Sequence, residues 1–120
     1  AKGRTIGWGA IRVSEMSDNR RFGDMRVGSI LDALALPGFE ADVCGALTQE
    51  LARRKPDMIM THMTHTIWRA GLKRSGFMEL ANRRAFCATP NFTDAFGADL
   101  ATFLDQAHLT PIDADGPHGL

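Results

Sequence analysis

The chain has 120 residues, enough for a single domain (residues 1–120) with its own hydrophobic core and too few for two. Its 14 basic residues balance its 14 acidic residues, so no net charge attracts the molecule to DNA, RNA or an anionic membrane, and neither nucleic acid nor a membrane is an expected partner. Hydrophobic residues make up 44% of the chain and charged residues 23%, which excludes a disordered or collagen-like protein.

The first predicted elements are two strands separated by a polar loop. Residues 6–13 mix β-branched and aromatic side chains, which predicts a strand, and the polar run 14–24 predicts a loop. The apolar spacing in residues 25–36 suits either a helix or a buried strand. A glycine and a serine inside this segment disfavour a helix, and a Leu-Pro-Gly break follows it, so we predict a strand over residues 25–34.

The next predicted elements are a helix and a short buried strand. Apolar residues recur at helical spacing between Val43 and Leu51, and residues 40–55 carry acids at the start and basic residues at the end, which complements the helix dipole. Pro56 ends this helix, and residues 58–63 predict the strand that follows.

A second helix is predicted over residues 66–75. Thr64 or Thr66 is a suitable N-cap, since a hydroxyl can accept a free backbone N–H group of the first turn. At the other end, Gly76 is predicted to adopt a left-handed conformation and Phe77 to make the hydrophobic contact that usually follows it. The apolar stripe of this helix consists of Ile67, Trp68 and Leu72.

The C-terminal third predicts a further strand over residues 85–92, interrupted by Pro90, and then a helix capped by Thr93. Residues 108–120 offer one short strand before a glycine- and proline-rich end. The apolar face of the helix would consist of Phe96, Leu100, Phe103 and Leu104.

Strands that alternate with helices indicate an α/β or α+β fold, with a mixed sheet and flanking helices. We expect strands 25–34 and 58–63 to be parallel neighbours, joined by helix 40–55 in a right-handed crossover.

Cysteine use and the absence of targeting signals predict a cytoplasmic protein. Cys44 and Cys87 lie in apolar contexts without a ligand-like spacing, so we interpret both as buried thiols, not as a disulfide or a zinc site. The sequence contains no apolar run of about 18 residues and no signal-peptide core.

His62 and His65 do not predict a metal site. The residues before His62 form a predicted strand, and no acidic or cysteine ligand is close in the sequence. Asp113 and Asp115 resemble the opening of a calcium loop, but the glutamate expected further on is absent. We therefore predict no metal.

The spacing of His65, Trp68, Leu72 and the Gly76-Phe77 pair resembles the N-x-x-A-x-x-x-Y-x-x-x-G-F pattern of the GNAT acyltransferase superfamily. The order of the predicted elements is also similar to the C-terminal half of that fold over residues 6–92. The resemblance implies acetyl-CoA or another acyl-CoA as cofactor, a small-molecule amine as acceptor and N-acyl transfer as the reaction.

Three departures weaken what the resemblance implies. The family places R/Q-x-x-G-x-G/A at its phosphate loop, whereas residues 35–42 read ALPGFEAD, and acids beside a helix start repel a phosphate. Leu72 occupies the position of the family's tyrosine acid, and the chain has no tyrosine. The family's opening strand and two helices would precede residue 6, so we expect either a fragment of a longer acyltransferase or two chains that complete each other as a homodimer.

The candidate site residues follow from this resemblance and from the polar loop. A base for the amine is sought among Glu15 and Asp24, near the mouth of the predicted loop, and His65. Main-chain groups of the strand over residues 25–34 would contact pantetheine, and the loop's arginines would contact the phosphates. The candidate cofactor-binding residues are Arg20, Arg21, Gly23, Ser29, Gly38 and Phe39.

Two classes of function remain open at this point. The first is acyl-CoA-dependent N-acyl transfer. The second is a noncatalytic, homodimeric interaction or small-ligand-binding module with a degenerate GNAT-like fold, which the altered phosphate loop favours.

Overall fold

A long β-hairpin opens the fold. In the computed structural model, which describes residues 3–81, 90–96 and 100–113, strand β1 (Gly7–Asn19) pairs antiparallel with strand β2 (Gly23–Ala35). The predicted strands are therefore present, and both are longer than expected.

The predicted loop over residues 14–24 is wrong, because most of it belongs to these two strands. A tight turn replaces it, in which Asn19 Oδ1 accepts the backbone N–H groups of Arg21 and Phe22 at 2.9 and 3.0 Å. Gly23 follows with a φ of 61°, which glycine adopts at no steric cost. The polar side chains of this region therefore lie on an exposed ribbon.

Helix α1 (Glu40–Arg53) joins β2 to strand β3 (Met58–Thr61). β2 and β3 are parallel neighbours, paired over four residues of which the last pair is Ile30 with Thr61. The predicted strand, helix and parallel strand are thus confirmed, and the sheet has the order β1-β2-β3. A three-stranded mixed sheet with flanking helices belongs to the α+β class.

α1 covers one face of the sheet, and glycines in β1 allow it to approach closely. A Cβ atom at Gly7 would lie 2.4 Å from the carbonyl oxygen of Leu34 and 2.6 Å from Cγ2 of Val43. At Gly9 it would lie 2.4 Å from Cδ1 of Leu47. The buried core beneath and beside the helix consists of Ile30, Ala33, Val43, Cys44, Leu51, Met63, Trp68 and Leu72.

Helix α2 (Thr66–Arg74) begins at a histidine. His65 is the N-cap, with extended backbone angles, and its Nδ1 accepts the backbone N–H of Ile67 at 3.1 Å. The predicted caps Thr64 and Thr66 are wrong, since a ring nitrogen of His65, and not a threonine hydroxyl, accepts a backbone N–H of the first turn. The prediction that His65 lies at the turn before the helix is confirmed.

The apolar stripe and the end of α2 are largely as predicted. Trp68 and Leu72 are buried, but Ile67 is 52% exposed. The prediction that Ile67 belongs to the buried stripe is therefore wrong, because its side chain lies beside the buried face of the helix and not on it. Gly76 has a φ of 95°, its N–H donates to the carbonyl of Lys73 at 3.1 Å, and the N–H of Phe77 donates to the carbonyl of Leu72 at 3.1 Å. These two bonds form the Schellman motif that ends the helix.

The described C-terminal part is helical. It contains α3 (Pro90–Phe96), α4 (Leu100–Gln106) and a 3₁₀ turn (Pro111–Asp113). The strand predicted over residues 85–92 is wrong for its last three residues, because a helix begins at Pro90. Proline is well tolerated at the first position of a helix, where the backbone N–H that it lacks would have no partner in the helix. Thr93 therefore lies inside α3 and does not begin a helix.

Several predictions fall outside the described residues. These are the strand over residues 85–89, the thiol of Cys87, Asp115 and most of the side chains in the apolar face predicted between Phe96 and Leu104. Within the described ranges, no helix is both long and apolar enough to cross a membrane.

Candidate functional site

Apart from Ser29, which lies in the middle of β2, the predicted site residues form two groups at opposite ends of that strand. β2 has 13 residues and therefore spans about 40 Å. One small ligand cannot contact both ends, so the predicted residues do not form a single site. The hairpin end carries Glu15, Arg20, Arg21, Gly23 and Asp24, and the other end carries Gly38, Phe39 and His65.

At the hairpin end, Glu15 forms an ion pair across the two strands with Arg26. Arg26 also donates its Nε to the carbonyl of Arg54 at 3.0 Å, and its backbone N–H donates to Asp57 Oδ2 at 2.8 Å. The arginine thus connects the hairpin to the end of α1 and the turn before β3. Glu15 completes this network, a structural role that sequence reasoning did not anticipate.

The other residues of the hairpin end belong to the turn itself. Asp24 Oδ1 accepts the backbone N–H of Asp18 at 2.7 Å, which fixes the turn geometry. The guanidinium of Arg21 lies 5.2 Å from the ring centre of Phe22, a cation–π contact, and Arg20 is exposed. This end presents two adjacent cations on a short rigid turn.

At the other end of β2, a gap opens beside the strand. Pairing with β3 stops at Ile30, whereas β2 continues to Ala35. His108 Nε2 contacts the carbonyl of Ala33 at 2.7 Å, and its ring stacks on Trp68 with 5.1 Å between centroids. Because a carbonyl oxygen can only accept a hydrogen bond, Nε2 of His108 carries the proton.

Threonines hold the segment that carries His108 in this gap. Thr64 Oγ1 contacts the carbonyl of Ala107 and accepts the N–H of Leu109 at 2.9 Å. Thr66 Oγ1 donates to the carbonyl of Asp105 at 3.0 Å. Sequence reasoning missed this contact, since the tail was expected to form a strand and no local pattern links it to β2.

The start of α1, where the family resemblance would place a phosphate, is occupied by an acid. The N–H of Gly38 donates to Glu40 Oε2 at 2.9 Å, and Phe39 at the N-cap supplies no side-chain cap. Asp42 adds a second carboxylate to the first turn. Carboxylates therefore occupy the positive end of the helix dipole.

His65 is already engaged by its capping role. Its Nδ1 accepts the N–H of Ile67, so the neutral ring carries its proton on Nε2. His65 can take a proton at Nδ1 only by releasing the cap of α2. It is nevertheless the one predicted base at the same end of β2 as Gly38 and Phe39.

Ser29, a candidate for cofactor binding, lies inside the molecule. It is 2% exposed and faces away from α1, next to Arg12 on β1. Ser29 Oγ and Arg12 Nε are buried and have no hydrogen-bond partner among the described residues. Burial of this side chain removes it from any solvent-facing cofactor site.

A concave site that the sequence did not predict lies along β3. Its volume is about 540 Å³, and all residues from Met58 to Thr64 line it together with the hairpin turn, α2 and residues 77–81. We call it the methionine groove, because four of the chain's six methionines line it. This methionine content, concentrated between Met58 and Met78, is the signal that could have indicated it.

Known proteins supply no guide to this site: comparison with protein-family models, with curated proteins and with solved structures finds no match. Within the part of the chain that the structure describes, no three histidine, cysteine, aspartate or glutamate side chains are grouped so that they could hold a metal ion.

Proposed function

We propose that this chain is the acyl-CoA-binding half of a GNAT-like acyltransferase, which transfers an acyl group from CoA to a small-molecule amine. The observation that carries the proposal is the parallel pair of β2 and β3, joined by α1 and hydrogen-bonded over only four residue pairs. Beyond Ile30, β2 continues without a neighbouring strand on that side among the described residues.

The unpaired stretch of β2 can bind an extended amide chain. The N–H of Ala33 donates to Asp32 Oδ1 at 2.8 Å and its carbonyl accepts from His108 at 2.7 Å, so side chains satisfy both groups. The amides of a pantetheine arm offer the same donors and acceptors and can replace these side chains. Acyl-CoA supplies the activated acyl group, and His65 is the predicted base nearest to this end of β2.

Affinity for the cofactor is expected to be low in the chain as it stands. Glu40 and Asp42 place negative charge where the diphosphate would meet the N-terminus of α1. The proposal therefore predicts that removal of this charge strengthens binding.

Isothermal titration calorimetry with acetyl-CoA at high protein concentration tests the proposal. We expect weak binding by the wild type, and tighter binding by Glu40→Gln, by about two- to fivefold for a charge at a helix terminus. Glu50→Gln, at the far end of α1, is the matched control and should leave the affinity unchanged. If neither the wild type nor Glu40→Gln binds acetyl-CoA, acyl-CoA chemistry is rejected.

A noncatalytic homodimeric module is the second candidate, supported by an exposed apolar pair on the hairpin. Trp8 and Leu34 are cross-strand partners and are 53% and 54% exposed. Apolar side chains of this size that are half exposed and adjacent support a second copy as partner. We place either function in the cytoplasm, which agrees with the free, buried thiol of Cys44.

A further inference from the structure

The methionine groove follows the edge of β3 opposite β2, along which no strand of the described residues pairs. Consecutive residues of a strand point to opposite faces, so a cavity that touches all four residues of β3 lies along the edge of the strand. Residues 62–64 extend its lining beyond the end of β3. Its volume of about 540 Å³ lies within the roughly 300–1,000 Å³ of small-molecule sites.

The walls of the groove are mainly apolar and adaptable. Met58, Met60, Met63 and Met78 line it, and methionine side chains adjust to ligands of irregular shape. Met78 is 86% exposed, and Leu80 beside it is 80% exposed. Apolar side chains this exposed, on the rim of a concave site, fit a ligand with an apolar body.

The charges at the far end of the groove neutralise each other. Arg69 pairs with Glu79 and lies 3.6 Å from Asp105, and Lys73 pairs with Glu79 at 2.8 Å. Hydrogen bonds from Lys73 and Arg69 lower the pKa of the Glu79 carboxyl, so it stays charged near neutral pH.

Arg21, at the hairpin end, is different. Among the described residues that line the groove, it is the cation without a carboxylate partner, and its guanidinium contacts the ring of Phe22. With histidine neutral, the charged lining residues therefore sum to one positive charge, which Arg21 carries.

We infer that the methionine groove binds an elongated amphipathic monoanion, of the class of medium-chain fatty carboxylates. Its carboxylate contacts the guanidinium of Arg21, whose fork-like donors match a carboxylate, and its alkyl chain extends along the methionines of β3. This inference does not depend on acyl transfer, because the groove lies on the opposite edge of β3 from β2 and its unpaired stretch.

Calorimetry with sodium decanoate, below its micelle concentration, tests the head-group contact. We expect one site on the wild type and roughly a tenfold or greater loss of affinity in Arg21→Ala, the usual effect of losing a charged hydrogen bond. Arg20→Ala, in the same turn and outside the groove, is the matched control and should bind as the wild type does. Equal losses in both variants would overturn the assignment of Arg21.

A second set of ligands and variants tests the alkyl chain. From octanoate to decanoate, affinity should rise by about fourfold for each added methylene. Met78→Gln should weaken binding. Ile112→Gln makes a similar apolar-to-amide change at an exposed position outside the groove and should leave binding unchanged. Because Met78 is exposed, this variant should fold normally.

Two further ligands identify the class that binds. Decyltrimethylammonium, which has the same chain and the opposite charge, should bind at least tenfold more weakly than decanoate. Binding of the cation as tight as that of decanoate would overturn the inference. So would binding to vesicles of anionic phospholipid without binding to free decanoate, since the groove would then belong to a membrane-contact surface.

Discussion

Gly76 shows how one residue determines where a helix ends. With its φ of 95°, any side chain at this position meets a steric penalty, so Gly76→Ala should lower the free energy of unfolding by about 1 kcal/mol. Gly45→Ala is the matched control. Gly45 lies inside α1, where an added Cβ has its nearest neighbour 4.0 Å away, and the same substitution should stabilise the protein by about 0.5–1 kcal/mol. Urea unfolding measures both, and effects of the same sign would contradict the capping assignment.

Cys44 gives the protein a defined sensitivity to alkali. Burial raises the pKa of its thiol from 9.0 to about 11, and the charge of Glu40 adds to this increase. Between about pH 9 and pH 11, the Cys44 thiol therefore keeps its proton in the folded state and loses it in the unfolded state. The stabilisation is complete below about pH 9 and is lost as the pH rises to about 11, with a total of roughly 2–3 kcal/mol.

The measurement is the free energy of unfolding between pH 8 and pH 11. Cys44→Ala should lack this part of the alkaline decline, whatever its stability at pH 7. The chain contains no tyrosine, so no phenol titrates in the same range. Parallel pH profiles for the wild type and the variant would show that Cys44 is not the group responsible.

At the scale of elements, α1 is positioned by the glycines of β1. A Cβ at Gly7 would meet the carbonyl oxygen of Leu34 at 2.4 Å, which is backbone and cannot move alone. Gly7→Ala should therefore cost about 1–3 kcal/mol. Gly9→Ala would meet the terminal carbons of Leu47, a side chain that can rotate, so its cost should be smaller. Thermal unfolding of the two variants compares them, and equal losses would show that backbone contact is not the reason.

The hairpin shows why the predicted loop does not form. The polar run over residues 14–24 has the composition of a loop, and Glu15 and Asp24 were expected near its mouth. Pairing extends β1 to Asn19 instead, and the Glu15–Arg26 contact spans the two strands. Strand pairing outweighs the local preference of polar residues, because each partner strand satisfies the other's backbone groups.

At the scale of the whole molecule, we expect a homodimer that buries at least about 1,000 Å². The apolar stripe of Ile67, Trp68 and Leu72 does not supply its interface, because Trp68 and Leu72 are buried within the chain. The exposed pair of Trp8 and Leu34 on the outer face of the hairpin replaces it.

Light scattering over a range of concentrations tests this assembly. Trp8→Glu should shift the equilibrium to monomers, because it places a charge in the expected apolar contact. Ile67→Glu changes a residue that is equally exposed but lies on α2, and it should leave the dimer intact. A wild-type monomer at every concentration would reject the homodimer and leave the predictions for Gly76 and Cys44 standing.

The sequence alone determined the elements whose signals are local. The order of β2, α1 and β3, the end of α2 at Gly76 and the burial of Cys44 follow from periodicity, proline breaks and capping residues within a few positions. Which distant residues meet depends on the tertiary structure. His108 reaches the carbonyl of Ala33 across 75 positions, and the methionine groove combines the hairpin turn, β3, α2 and α4. Such contacts depend on how strands pair and helices pack, which no short window of sequence contains.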